Sequence, residues 1–128
     1  MKNYFGYLKY QDQKLIVDVD DNFAKFYRSL IPKYFNVNPT RYTAHISVVR
    51  NEVPKNPEVW NKYQNKKIDF IYDNFIYNDE IYWWLNVFST ELESIRVELG
   101  LENHSWYTLP PSGFNKCFHL TIGNTKNR

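Results

Sequence analysis

The spacing of apolar and polar positions divides the chain into short elements. Tyr4-Phe5-Gly6-Tyr7-Leu8-Lys9-Tyr10 alternates as a half-buried strand does, Gln11-Asp12-Gln13 reads as a turn, and residues 14–19 predict a second strand, so the chain opens on a hairpin. From Phe23 the period changes. Phe23, Phe26, Tyr27, Leu30 and Ile31 recur at helical spacing behind the cap candidates Asp20, Asp21 and Asn22, with Pro32 at the end. Residues 36–40 form a loop into a strand over 43–50. Residues 51–65, which hold Pro54 and Pro57, predict loop with a short helix around 58–63. Residues 66–78 alternate around Ile68, Phe70 and Tyr72, as one long strand or two with a break at Asp73-Asn74. Residues 81–88 are a further strand. A second helix starts at Thr90, with a capping box to Glu93, a stripe of Leu92, Ile95 and Leu99, and Gly100 at its end near Leu101. A loop over 102–116 has the length and proline content of a lid or ligand wall, and a last strand covers 117–123.

The strands over 43–50 and 117–123 share one feature. Each carries a histidine followed two residues on by a hydroxyl, His45-Ile46-Ser47 and His119-Leu120-Thr121. Side chains two apart on a strand share a face, so each strand turns polar chemistry to one side and core residues to the other. At average Ser and Thr usage one histidine in roughly eight would show such a step, so one match means little. Two of the chain's three histidines match, both inside β-branched apolar runs; His104, in a polar loop, does not. The order aromatic strand, helix, histidine strand also occurs twice, over residues 4–50 and 82–126. These readings predict an α+β fold in one domain over residues 1–128. Two antiparallel β lobes would flank a central cleft, with helices outside and the histidines facing each other across it.

Composition narrows the partners. Sixteen Lys and Arg against fourteen Asp and Glu leave a net charge of +2, which argues against sequence-independent binding of duplex DNA. An aromatic share of 19% exceeds what a small core hides, so some rings are expected to line a surface or groove. The single cysteine, Cys117, reads as a small buried hydrophobe and points to a reducing cytoplasmic compartment. No apolar run approaches the roughly 20 residues that span a membrane, so no membrane partner is expected.

The two motifs and their flanks, Ala44 to Glu52 and Phe118 to Lys126, resemble the two-histidine (2H) phosphoesterase superfamily, whose members carry two His-x-Ser/Thr motifs on a bilobal pseudo-twofold fold. The flanks look most like its phage branch, which includes the anti-CBASS nucleases that destroy cyclic oligonucleotide signals of bacterial defence. Ser47 stands where Thr is commoner and keeps the hydroxyl. The resemblance implies a phosphodiesterase cleaving 3′-5′ bonds of cyclic oligonucleotides, at work in the host cytoplasm if phage-encoded. It implies no metal or other cofactor. The alternatives are a 2′,3′-cyclic phosphodiesterase of RNA ends and a non-catalytic module that sequesters nucleotides.

Residue chemistry agrees with an enzyme. Cleaving a phosphodiester through a neighbouring ribose hydroxyl needs a base and an acid, and imidazole serves either role near neutral pH. His45 and His119 are the candidates for those roles, and Ser47 and Thr121 for donating hydrogen bonds to nonbridging oxygens. No carboxylate-rich or Cys/His cluster accompanies them as a metal set. For substrate binding the candidates are Lys9 on phosphate and Tyr7, Trp84, Trp106 and Tyr107 as rings that stack on bases, with Tyr7 first among them. Tyr7 and Lys9 should share the face of His45, as Trp84 should share that of His119. Arg50 and the tail residues Lys126 and Arg128 are lesser candidates for phosphate.

Overall fold

A computed structural model describes residues 1–113 and 116–126. Seven strands and two α-helices follow in the order β1 (Lys2–Tyr10), β2 (Leu15–Asp18), α1 (Asp21–Ser29), β3 (His45–Val49), β4 (Lys67–Tyr72), β5 (Tyr77–Asn78), β6 (Tyr82–Phe88), α2 (Thr90–Glu98) and β7 (Phe118–Asn124). The architecture is α+β. Strands in the order β4-β1-β2-β3-β7-β6 close into a ring through a β4–β6 pairing, and every pairing is antiparallel. This six-stranded barrel is one continuous sheet, with β5 attached outside β6.

The interior follows the alternation. Leu8 opposite Val17, Val17 opposite Ile46, Ile46 opposite Leu120 and Leu120 opposite Leu85 form one row of cross-strand neighbours, each at most 1% exposed. Directly opposed residues share a face, so this row marks the inside and the intervening residues the outside. The helices add Phe23, Tyr27, Leu92, Ile95 and Leu99 to the same core. Burying a Leu or Phe side chain is worth about 1.5–3 kcal/mol, so the inner row holds the register against a one-residue slip that would turn the histidines inward.

Several local expectations need correction. In α1 Asp20 caps the helix through its carboxylate and Phe23 and Tyr27 are buried, but Phe26 and Leu30 are exposed. The helix stops at Ser29, so its buried face is narrower than the periodicity suggests. A 3₁₀ turn at Lys33–Phe35 follows Pro32. The predicted helix over 58–63 shrinks to a 3₁₀ turn at Pro57–Val59. Ser89, not Thr90, caps α2: its hydroxyl accepts from Leu92 N, and no Thr90–Glu93 box forms because Thr90 is already helical. Gly100 at φ +82° ends that helix after Glu98, short of Leu101. The two halves also match differently from the sequence reading, because the strand beside β3 is β2, whereas β6 lies beside β7. The aromatic strand β1 is one place further out.

One buried charge ties the layers together. Arg96 of α2, fully buried, donates from Nη1 and Nη2 to the two carboxylate oxygens of Glu52 at 2.8 Å each, from Nη1 to Val48 O and from Nε to Glu102 O. Its fork thus joins α2 to the end of β3 and to the segments that follow both elements.

Candidate active site

β3 and β7 are in register through a single described pair, Ile46 opposite Leu120. Their inward side chains seal the core, which leaves His45, Ser47, His119 and Thr121 on the outer face of adjacent strands. The antiparallel register sets His45 diagonal to His119, with Thr121 and Ser47 on the other diagonal. All four half-buried side chains line one cavity of about 680 Å³.

Each histidine is oriented by a backbone carbonyl. His45 Nδ1 lies 2.8 Å from Thr43 O, two residues back on its own chain, and His119 Nδ1 lies 3.3 Å from Thr108 O. A carbonyl only accepts, so both Nδ1 atoms carry hydrogen and both Nε2 atoms are left for a ligand. Thr108 is itself fully buried, its hydroxyl accepting from Ser105 N and donating to Ser105 O, so a rigid turn backs the second histidine. Burial pushes the His119 imidazole down to about 4; the neighbouring charges of His45 and Arg50 act in the same direction, and the Thr108 carbonyl opposes them. His119 is therefore neutral at physiological pH.

The cavity is cationic. Arg41, Arg50 and Lys126 line it together with the histidines, and no carboxylate does among the described residues. Lys126 Nζ also sits 4.7 Å from the centroid of the Tyr82 ring. Arg50 is held by its backbone, whose N–H donates to Glu52 Oε1, the carboxylate that clamps Arg96. Among the described residues no group of three or more His, Cys, Asp or Glu side chains comes together that could hold a metal ion.

The structure brings His45, Ser47, His119 and Thr121 together, but on adjacent strands of one continuous sheet and not across a cleft between two separate lobes, and Arg50 and Lys126 line the same cavity. Arg128 lies outside the described residues. The candidate rings fare differently. Trp84 is on the expected face, opposite Thr121, but is fully buried: β5 folds back over β6, Tyr77 stacks on the indole at 6.3 Å between centroids, and Nε1 donates to Asn86 Oδ1. It is a packing residue and meets no ligand. Trp106 and Tyr107 are exposed but line no part of the histidine cavity; their loop serves the site from behind, through the Thr108 carbonyl. Tyr7 and Lys9 do face outward, yet β2 separates their strand from β3, a lateral distance of about 10 Å, and Lys9 Nζ is bonded to Asn65 Oδ1. The cavity does not include them.

Sequence reasoning missed Arg41, Tyr42, Tyr82 and Asn124. The segment before β3 enters the site because Asn38 and Asn124 exchange both backbone hydrogen bonds, at 2.8 and 3.0 Å, which pins it against β7. Gly123 permits that approach: a Cβ there would lie 2.5 Å from Val37 Cγ1 and 2.8 Å from Asn38 O. An Arg-Tyr pair just ahead of a histidine strand was the available signal. Cys117 is buried as anticipated, and burial pushes its thiol up to about 11.

Fold and site thus define an α+β barrel protein with a paired-histidine, cation-lined cavity on its outer face. No family model, characterised protein or solved structure matches the chain. Among the described residues no helix is long and apolar enough to cross a membrane.

Proposed function

We propose that the protein is a metal-independent phosphodiesterase of the 2H type that cleaves 3′-5′ bonds of ribonucleotides by attack of the adjacent ribose 2′-hydroxyl. The observation that carries this reading is the pairing of two imidazoles, each with Nδ1 on a carbonyl and Nε2 free, in one cavity whose other charges are all positive. On the same reading β1–β3 with α1 and β5–β7 with α2 are two pseudo-symmetric lobes meeting at the β3–β7 seam.

His119, held neutral by burial, takes the 2′-hydroxyl proton on Nε2 as O2′ bonds to phosphorus. His45 gives an Nε2 proton to the departing 5′-oxygen as the P–O5′ bond breaks. The products are a 2′,3′-cyclic phosphate and a free 5′-hydroxyl, and the two histidines have exchanged roles. Such proton transfers contribute on the order of 100 to 10,000-fold each. The hydroxyls of Ser47 and Thr121, with Arg41, Arg50 and Lys126, stabilise the charge that grows on the nonbridging oxygens.

Cyclic oligonucleotide signals, as in phage counter-defence, are the substrates that the sequence resemblance implies. A second reading, RNA ends bearing a 2′,3′-cyclic phosphate, is favoured by the opening of the cavity past Tyr42 towards α1. Purified protein with EDTA, offered cyclic di- and trinucleotides, linear RNA and 2′,3′-cyclic nucleotides, should cleave at least one ribose class and bind but not cut its 2′-deoxy analogue. Equal cleavage of ribo and deoxy ligands would mean that water attacks instead. Turnover that EDTA abolishes and zinc, manganese or magnesium restores would also refute the mechanism. Tight binding without turnover would leave a sequestering module.

A further inference from the structure

The side of the barrel away from the histidines carries a second surface of uncommon composition. Six strands close the ring, so the β4–β1 pair lies across it from the β3–β7 seam. Outward positions of an antiparallel sheet that faces water are normally polar. On β3 and β7 they are, but here they include Phe5 and Tyr7 of β1, Ile71 of β4 and Phe88 of β6. The register joins them: Phe5 is opposite Asp69, two residues from Ile71 on the same face, and Ile71 is opposite both Asn3 and Phe88. Tyr7 and Ile71 are 44% and 42% exposed and Phe5 and Phe88 half-buried, so neither helix covers this face. A contiguous patch of exposed apolar side chains on a folded domain marks an interaction surface.

Shape and charge say what fits it. Phe5 and Tyr7 stand edge to face, 6.0 Å between centroids, as a ridge along β1. Past the other end of that strand Asn3, Ile71 and Phe88 line a depression of about 770 Å³ that runs to Glu91 and Glu93 of α2. The two ends differ in charge. Asp69, Glu91 and Glu93 line the depression with no cation among the described residues, whereas Lys67 is directly opposite Tyr7 and Lys9 follows it on the same face. Half-buried Asp18, opposite Tyr7 on β2, offsets one of those lysines, and Lys66 takes up Glu91. Lys67 and Asp69 are 4.0 Å apart and both exposed, a pair worth little in water and free to exchange partners. Asn3 and Tyr7 are four residues apart on β1, about 13 Å, with Phe5 midway. A two-fold axis near Phe5 therefore sets the Tyr7 ridge over the partner's depression and the lysine end over the carboxylate end, in both directions at once, which is the self-complementarity an isologous dimer needs. Nine residues of β1 span about 30 Å, and four strands about 4.8 Å apart make a footprint of roughly 450 Å² per copy, so the pair buries on the order of 1,000 Å² once side-chain relief is added, the small end of specific interfaces. A nucleic-acid strand would meet carboxylates here that match the lysines in number.

We propose that the chain forms a two-fold homodimer through the outer face of β1 and β4, with Tyr7 of each copy seated in the depression beside Ile71 of the other and the two histidine cavities facing away from each other. The inference is independent of the phosphodiesterase reading.

The test is sedimentation velocity of the full chain over a concentration series. An interface of this size should give a dimer with a dissociation constant on the order of 10 μM. Tyr7→Thr and Ile71→Thr change exposed outward positions to another strand-forming residue, so each should leave the circular dichroism spectrum as it is and weaken the dimer by about tenfold. Lys67→Glu leaves the face acidic and Asp69→Lys leaves it basic. Each should therefore fail to pair with itself, while an equimolar mixture of the two should associate more tightly than the native chain. The ion pair within the chain is lost in both variants, so recovery on mixing comes only from contact between copies. A native chain that sediments as a monomer at about tenfold above that constant would overturn the dimer. So would a dimer that none of the four substitutions weakens, because its interface would lie elsewhere. A monomer that binds fluorescein-labelled oligouridylate and loses it on Tyr7→Thr would overturn the dimer in favour of a nucleic-acid strand on this face.

Discussion

Protonation of His119 is the sharpest consequence of the site geometry. Burial moves its imidazole down to about 4 in the folded protein, against about 6.5 for a solvated one. At pH 5.5 an imidazole of pKa 4 is about 97% neutral, whereas a solvated one is about 9% neutral, so base catalysis through His119 should survive into mildly acidic solution. A stability effect accompanies it. Because the folded pKa is depressed, the unfolded chain binds more protons between pH 6.5 and pH 4, and this contribution is full above pH 6.5 and lost as pH falls to 4. The shift corresponds to an upper limit of about 3 kcal/mol, reduced to the extent that water reaches the half-buried ring. Two measurements check the reasoning without any substrate. Long-range ¹⁵N–¹H spectra of the imidazoles should show His119 as the Nδ1–H tautomer at pH 7, with a midpoint near 4. Denaturant unfolding from pH 7 to pH 4 should show a steeper loss for the native chain than for His119→Gln, by up to that 3 kcal/mol. A His119 midpoint between 6 and 7, or parallel stability curves, would refute the buried base and with it the division of roles between the histidines.

Three further outcomes are expected. His45→Ala and His119→Ala should each remove nearly all turnover with the fold intact by circular dichroism, whereas Ser47→Ala and Thr121→Ala should each cost about 1.5–3 kcal/mol in kcat/KM, and a histidine variant of normal rate would end the assignment. Glu52→Ala strips Arg96 of its carboxylate and should destabilise by about 3–5 kcal/mol in urea unfolding; a loss under 1 kcal/mol would mean that the three-way clamp is ornamental. His104 is buried against Phe118 at 4.6 Å between ring centroids, with neither ring nitrogen bonded, and burial holds it below the usual imidazole range in spite of Glu93 4.0 Å away. His104→Phe should therefore stabilise by about 1–3 kcal/mol, and destabilisation in the same unfolding assay would contradict that account.

What the sequence made legible was decided locally. The outward face of His45 and Ser47 follows from Ile46 and Val48 alone, and the same parity correctly sends Tyr7 and Lys9 outward from Leu8 and Tyr10. Parity also put Trp84 on the His119 face, where it is; its burial was illegible because the cover comes from β5 and the turn before it, and no residue near Trp84 encodes where that segment folds back. Arg41 and Tyr42 were missed for the converse reason: the Asn38–Asn124 bridge and the missing Cβ of Gly123, both distant in sequence, bring an ordinary loop to the rim. Arg96 carried no signal in the sequence, because its burial depends on Glu52 arriving from the segment after β3.

The junction of the barrel with the fewest paired positions among the described residues is also where the two histidines sit. β6 and β7 share six paired positions and β1 and β4 another six, but β3 and β7 share one among the described residues, Ile46 with Leu120. The two antiparallel strands are paired at this one point, and the cavity lies on their outer face over it. The pair is inward, fully buried and apolar, and its four sequence neighbours are His45, Ser47, His119 and Thr121. Sealing the barrel and presenting the two imidazoles are thus one act of folding. A register slip at this seam would cost the core the burial of Ile46 and Leu120 before it could separate the histidines, so the energy that fixes their relative position comes from hydrophobic packing behind the site, while the carbonyls of Thr43 and Thr108 need only set the ring orientation.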